Sequence, residues 1–161
     1  MNIPMKAAVV GKDGAYGQVY GVVIRPQKQP QLTHIIIAEG DKNAPTRYIV
    51  PIQQIANISD TQIELTCGRA ELTRQESVPE GGVLLNHEAK AKAKDGVIGP
   101  IVKIIVTPKT GHIGNLVVQT GGFLQGKRQF SVPDTLLGQV EEMAYHIKID
   151  KQNLTMMRPA K

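Results

Sequence analysis

The sequence has no tryptophan, and aromatic residues make up only 4% of its 161 positions. Its core must therefore be assembled from Val, Ile and Leu. Recognition of nucleic acid by stacked rings is not expected either, because Tyr16, Tyr20, Tyr48, Phe123, Phe130 and Tyr145 are scattered along the chain. A single cysteine, Cys67, excludes an intrachain disulfide. No apolar run approaches the ~20 residues of a membrane-spanning helix, and the apolar stretch after Met1 is too short for the core of a signal peptide. These absences together predict a cytoplasmic protein. What the chain has in quantity is β-branched residues, with 16 Gly and 10 Pro, a mixture that predicts short strands joined by tight turns.

Charge is unevenly distributed. Residues 1–76 carry eight Lys/Arg against seven Asp/Glu, and residues 77–161 carry eleven against seven, so +4 of the formal +5 lies in the second part. An excess of that kind suits an acidic partner: a protein, RNA or an anionic lipid surface. At this magnitude it is also what keeps a small protein soluble.

The organising feature is a repeat. Lys12-Asp13-Gly14-Ala15-Tyr16-Gly17, followed by Val19–Ile24 and Pro26, returns 82 positions later as Lys94-Asp95-Gly96-Val97-Ile98-Gly99, followed by Ile101–Val106 and Pro108. Tyr48, Val50 and Pro51 return as Phe130, Val132 and Pro133 at the same spacing. Each copy reads as a period-two strand, an Asp-Gly turn, a Val/Ile strand stopped by Pro, a third apolar strand, a strand ending in Val-Pro, a helical turn (Ile52–Ile58 in the first copy) and a last strand. The polar, turn-rich stretch between the copies reads as a linker, so residues 1–72 and 87–161 are expected to be two domains joined by 73–86.

This order of parts resembles the PRC-barrel family, named for the cytoplasmic domain of the photosynthetic reaction-centre H subunit and including the C-terminal domain of a bacterial 16S ribosomal RNA processing factor. The residues carrying the likeness are Asp13-Gly14, Gly17, Pro26 and Val50-Pro51, and again Asp95-Gly96, Gly99, Pro108 and Val132-Pro133. The resemblance implies an all-β fold of two tandem small antiparallel barrels, with short helical turns after the Val-Pro motifs. It implies docking surfaces and no shared catalytic residues. The chain departs from the H subunit in lacking a membrane-spanning segment, and from the processing factor in lacking a second, different domain.

Motifs of chemistry are weak. Gly121–Arg128 fits the spacing of a phosphate loop, but Arg128 stands where a Ser or Thr would hold Mg²⁺, and Gln129–Pro133 reads as strand where a helix is required. It is better read as a hairpin tip carrying two cations. His34, His87, His112 and His146 lack metal-ligand spacing. Cys67 reads as an inert thiol, and Glu141-Glu142 as solvated surface.

Lys90, Lys92 and Lys94 alternate with Ala89, Ala91 and Ala93, a cationic row with a ~7 Å repeat on a strand. A row of this kind tracks phosphates, or guards an exposed edge strand against aggregation, and edge protection is the reading preferred here. Ile35-Ile36-Ile37, Ile104-Ile105-Val106 and Leu116-Val117-Val118 are apolar on both faces. The outer face must be covered by the sister copy, by a second copy of the chain or by a partner, in that order of preference.

The function expected is that of a non-enzymatic, protein-binding module without cofactor or metal, contacting its partner through Lys90, Lys92, Lys94, Lys127 and Arg128. A homodimer is a further expectation. The alternatives are an RNA- or ribosome-associated accessory factor and an enzyme with a pocket between the copies.

Overall fold

Strands form where the sequence alternates, and the computed structural model describes residues 1–120 and 128–155. The first half holds β1 (Asn2–Pro4), β2 (Ala8–Gly11), β3 (Gly14–Arg25), β4 (Gln31–Glu39), β5 (Thr46–Pro51), β6 (Ile55–Ile58), β7 (Gln62–Leu65) and β8 (Thr73–Arg74). The second holds β9 (Val83–Asn86), β10 (Lys90–Ala93), β11 (Gly96–Val106), β12 (Ile113–Thr120), β13 (Arg128–Pro133), β14 (Leu137–Glu141) and β15 (Ala144–Ile147), with one helix, α1 (Lys151–Thr155). The protein is mostly β, built from two mixed sheets.

The repeat extends to hydrogen-bond register. Ala8 faces Gln18 and Val9 faces Gly17 across β2 and β3, while Lys90 faces Pro100 and Ala91 faces Gly99 across β10 and β11. Both ladders slip by one residue at the same step, Val9/Val10 and Ala91/Lys92. The slip needs a glycine. Gly17 and Gly99 have φ of +123° and +157°, and a Cβ on either would strike the carbonyl oxygen of Ala38 or Gln119 on the next strand.

Pro51 and Pro133 hold φ at −64° and −71° and lead into 3₁₀ turns, Ile52–Gln54 and Asp134–Leu136. The helical turn read over Ile52–Ile58 is confined to its first three residues, and Ile55–Ile58 is strand. A bulge between Ile55 and Asn57 explains the misreading: the extra residue turns Ile55 and Ile58 to one side, which mimics a helical spacing of three.

Two further expectations are corrected. The sheets are not purely antiparallel, because β2 pairs parallel with β7 and β10 parallel with β15. A parallel pair needs a long connection, supplied in each half by the strands between. Nor does either sheet close into a barrel among the described residues. The path β6-β7-β2-β3-β4-β5 ends on two strands separated by only the turn Ile52–Gln54, so the sheet is rolled, yet no ladder joins its ends. The second half repeats this with β13 and β14.

The stretch 73–86, read as a linker, contains β8 and β9, and β9 does not serve its own half. It pairs with β3 of the first half, Leu85 facing Val22 and Leu84 facing Val23. Reciprocally, β1 pairs with β11 of the second half, Ile3 facing Ile104 and Asn2 facing Ile105. Ile3 and Leu85 are 82 positions apart, as are Val22 and Ile104. Each copy has given its first strand to the other. A single bridge, Gln31 to His112, lies at the centre of the exchange, flanked by Leu32 N–H to the Gly111 carbonyl at 2.8 Å and Ile113 N–H to the Pro30 carbonyl at 3.1 Å.

The buried apolar residues of the two halves consequently form one cluster, with Ile35 and Ile37 of the first half and Leu116 and Val118 of the second in it. Ile3 and Leu85 are fully buried, so removal of either leaves a cavity inside the half to which it was given. Ile3→Ala is expected to destabilise the protein by about 2–5 kcal/mol. It should also speed amide exchange in β11, a hundred residues away, as much as in β2. Exchange that rises only around residues 1–10 would contradict a shared core.

Candidate functional site

The charged and polar side chains cluster at the point where each half fastens its last helical turn. Asp13, on the first Asp-Gly turn, accepts the backbone N–H of Arg69 at 3.0 and 3.2 Å, and Asp95 accepts that of Lys151 at 3.0 Å. The Asp of each Asp-Gly turn therefore caps a helical turn 56 residues later.

In the first half a network surrounds this tie. The Tyr16 hydroxyl donates to Asp13 Oδ1 and lies 3.0 Å from the Cys67 carbonyl oxygen. Arg69 forms a two-pronged ion pair with Glu39 at 2.5 and 2.7 Å, donates to the Ala15 carbonyl at 2.6 Å and stands 5.3 Å from the centroid of the Tyr16 ring. The Tyr16 hydrogen bond, then the Arg69 N–H, hold the Asp13 carboxyl below its ordinary range. The Arg69 guanidinium does the same for Glu39. Burial, and then the Asp13 carboxylate, push the Tyr16 phenol up. These groups spend their hydrogen-bonding capacity on one another, and the arrangement is a latch.

The second half keeps the cap and loses the network. Ile98 stands at the position of Tyr16, Thr120 at that of Glu39 and Lys151 at that of Arg69. The cation is retained and its carboxylate is gone. Arg128 lies at the same end, exposed, opposite Thr120 and at the position of Thr46. Among the described residues neither the Lys151 ammonium nor the Arg128 guanidinium forms an ion pair with a carboxylate.

The outer strands differ as well. In the first half β8 covers the outer edge of β5, Tyr48 facing Arg74 and Ile49 facing Thr73, with Gln75 N–H donating to the Arg47 carbonyl at 2.9 Å. Among the described residues no strand pairs with the outer edge of β13.

The lysine row is placed as the alternation predicts, with Ala89, Ala91 and Ala93 buried, Lys90 and Lys94 exposed and Lys92 half-buried. Edge protection, however, is not its role. β10 lies between β11 and β15, a long-range parallel pairing that local periodicity cannot reveal. Lys92 faces His146, whose Nε2 lies 2.8 Å from Glu141 Oε1, and that hydrogen bond holds the Glu141 carboxyl down. β10 is three strands from β13, ~14 Å along the sheet, so the row and Arg128 do not share an edge. Lys127 and the rest of Gly121–Lys127 lie outside the described residues.

Of the histidines, His34 is in β4 and His146 in β15, and the described residues contain no group of three or more metal-ligating side chains. Cys67 is buried, which pushes its thiol up. The Tyr145 hydroxyl is fully buried without a hydrogen-bond partner among the described residues, and burial pushes its pKa up to about 12.

Two open grooves, of 610 and 600 Å³, repeat the internal symmetry. One runs between the Gln27–Pro30 loop and β14, the other between Pro108-Lys109 and β6. Val97, at the position of Ala15, is the exposed large apolar side chain of the described residues.

Sequence reasoning missed the Asp13–Tyr16–Arg69–Glu39 network and its loss in the second half, although the signal was present: Tyr16/Ile98 and Glu39/Thr120 are repeat positions at which the copies disagree. The chain matches no protein-family model, and a search of curated proteins found no significant similarity.

The sign of the Asp13 shift makes the latch acid-sensitive. A carboxyl whose folded pKa lies below its unfolded value contributes stability that is complete above that unfolded value, ~3.9. The contribution is lost as pH falls through the folded pKa. Asp13→Asn should lower the melting temperature at neutral pH and flatten its decline below pH ~4. A decline as steep as that of the parent would remove Asp13 from the acid response.

Proposed function

We propose that the chain is a non-enzymatic docking module, a tandem pair of PRC-barrel-like units locked into one body, that engages a protein partner through the basic end of its second half. The reading rests on the asymmetry between the halves. In the first, the outer strand is covered by β8 and Arg69 is neutralised by Glu39. In the second, among the described residues, the corresponding strand is bare and neither the Arg128 guanidinium nor the Lys151 ammonium is in an ion pair.

The PRC-barrel assignment draws on the shared motifs and on the rolled six-strand path, with the 3₁₀ turn after Val-Pro standing at the seam. The non-enzymatic assignment draws on where the perturbed groups sit: Asp13, Glu39 and Glu141 owe their shifts to partners that tie strands and turns together. The excess of cations on the second half favours a second reading, contact with nucleic-acid phosphates in an RNA-associated accessory role.

Affinity capture with the intact protein separates the two. Arg128→Glu should weaken capture of the protein partner by about tenfold, ~1.4 kcal/mol, and leave the melting temperature unchanged. Capture indifferent to Arg128→Glu would refute the placement of the surface. Binding that instead falls steeply with salt, and is destroyed by ribonuclease, would establish the RNA reading.

A further inference from the structure

Resting on that docking reading, we infer that the partner binds by adding an extended, acidic segment as an antiparallel strand to the outer edge of β13. The first half shows the geometry in its own chain, where β8 lies antiparallel on β5 and Gln75 N–H meets the outward Arg47 carbonyl. Groups along a strand edge alternate in direction. Outward Arg47 and Ile49 therefore correspond, by the 82-residue repeat, to Gln129 and Ser131 on β13, while Phe130 faces Val118 on β12. Among the described residues no strand pairs with these outward N–H and C=O groups, and a strand edge in that state is a template for another chain.

Charge selects the occupant. The edge begins at the exposed Arg128, opposite Thr120, which stands where the first half has Glu39, while Lys151 lies inward of it against Gly96. A segment bearing Glu or Asp supplies a carboxylate for Arg128. A second copy of this chain would instead set one basic edge against another, which is unfavourable across a strand pair.

The test uses the full-length protein and two synthetic peptides of roughly ten residues, one alternating Glu with Val and Thr, the other with Lys in place of Glu. Amide exchange at Gln129 and Ser131 is followed in dilute solution. The acidic peptide should slow both amides about tenfold or more, the lysine peptide neither. Gln129→Pro removes an outward N–H without cutting a bond to β12, and should abolish the effect with folding retained. Amides already slow in the free protein would mean that the chain covers this edge itself. Slowing that depends on protein concentration alone would mean a second copy. Either result overturns the inference, as does protection by both peptides or by neither. The exchange measurement on the unaltered chain stands even if the proline variant fails to fold. If peptide protection is absent while partner capture still responds to Arg128→Glu, strand addition is refuted and the docking reading survives.

Discussion

The reciprocal gift of β1 and β9 is the constraint from which the rest of the molecule follows. Ile3 and Leu85 are wholly buried in the half opposite their own, and each rests on the middle of a long strand, at Ile104 and Val22. Full burial of such a side chain contributes roughly 1.5–3 kcal/mol, and the backbone bonds of both exchanged strands are broken if the halves part. A unit of some eighty residues has a modest core by itself. Exchange merges two modest cores into one cluster. It also removes the freedom to reorient that a flexible linker between separate domains would allow.

With the two halves locked by a shared frame, differences between them are free to carry function. The frame is conserved between copies where geometry demands it: Gly17 and Gly99 at the ladder slips, Asp13 and Asp95 at the caps, Pro51 and Pro133 at the turns. It diverges where the frame does not depend on the residue. Tyr16 with Glu39 and Arg69 latches the first half, whereas Ile98 with Thr120 and Lys151 leaves the second half capped and positively charged. One half has its outer edge covered by β8, and among the described residues the other half has no strand on that edge.

Much of this was readable in advance, because it depends on near neighbours along the chain. Strand periodicity, the Asp-Gly turns, the proline stops and the 82-residue repeat are properties of local sequence, and the strands fall where those signals lie. The errors arise where local spacing or composition misleads. The bulge in β6 disguised a strand as a helical turn, since a one-residue insertion shifts the apparent period from two to three. Residues 73–86 were read as a linker because their composition is that of a loop, although four of them, Val83–Asn86, complete the other half. The lysine row was read as an edge because nothing near it announces that β15 lies alongside.

The order of residues alone was enough to specify two copies of one strand-rich unit, with their turns, alternating faces and surplus positive charge in the second. Which strands lie at edges, and which half owns which strand, were settled only when the chain folded. The reason is range. Turns and pleats are set by steric preferences over a few residues, whereas pairing between positions 3 and 104, or 22 and 85, reflects the burial gained when distant segments meet. No local pattern encodes that gain.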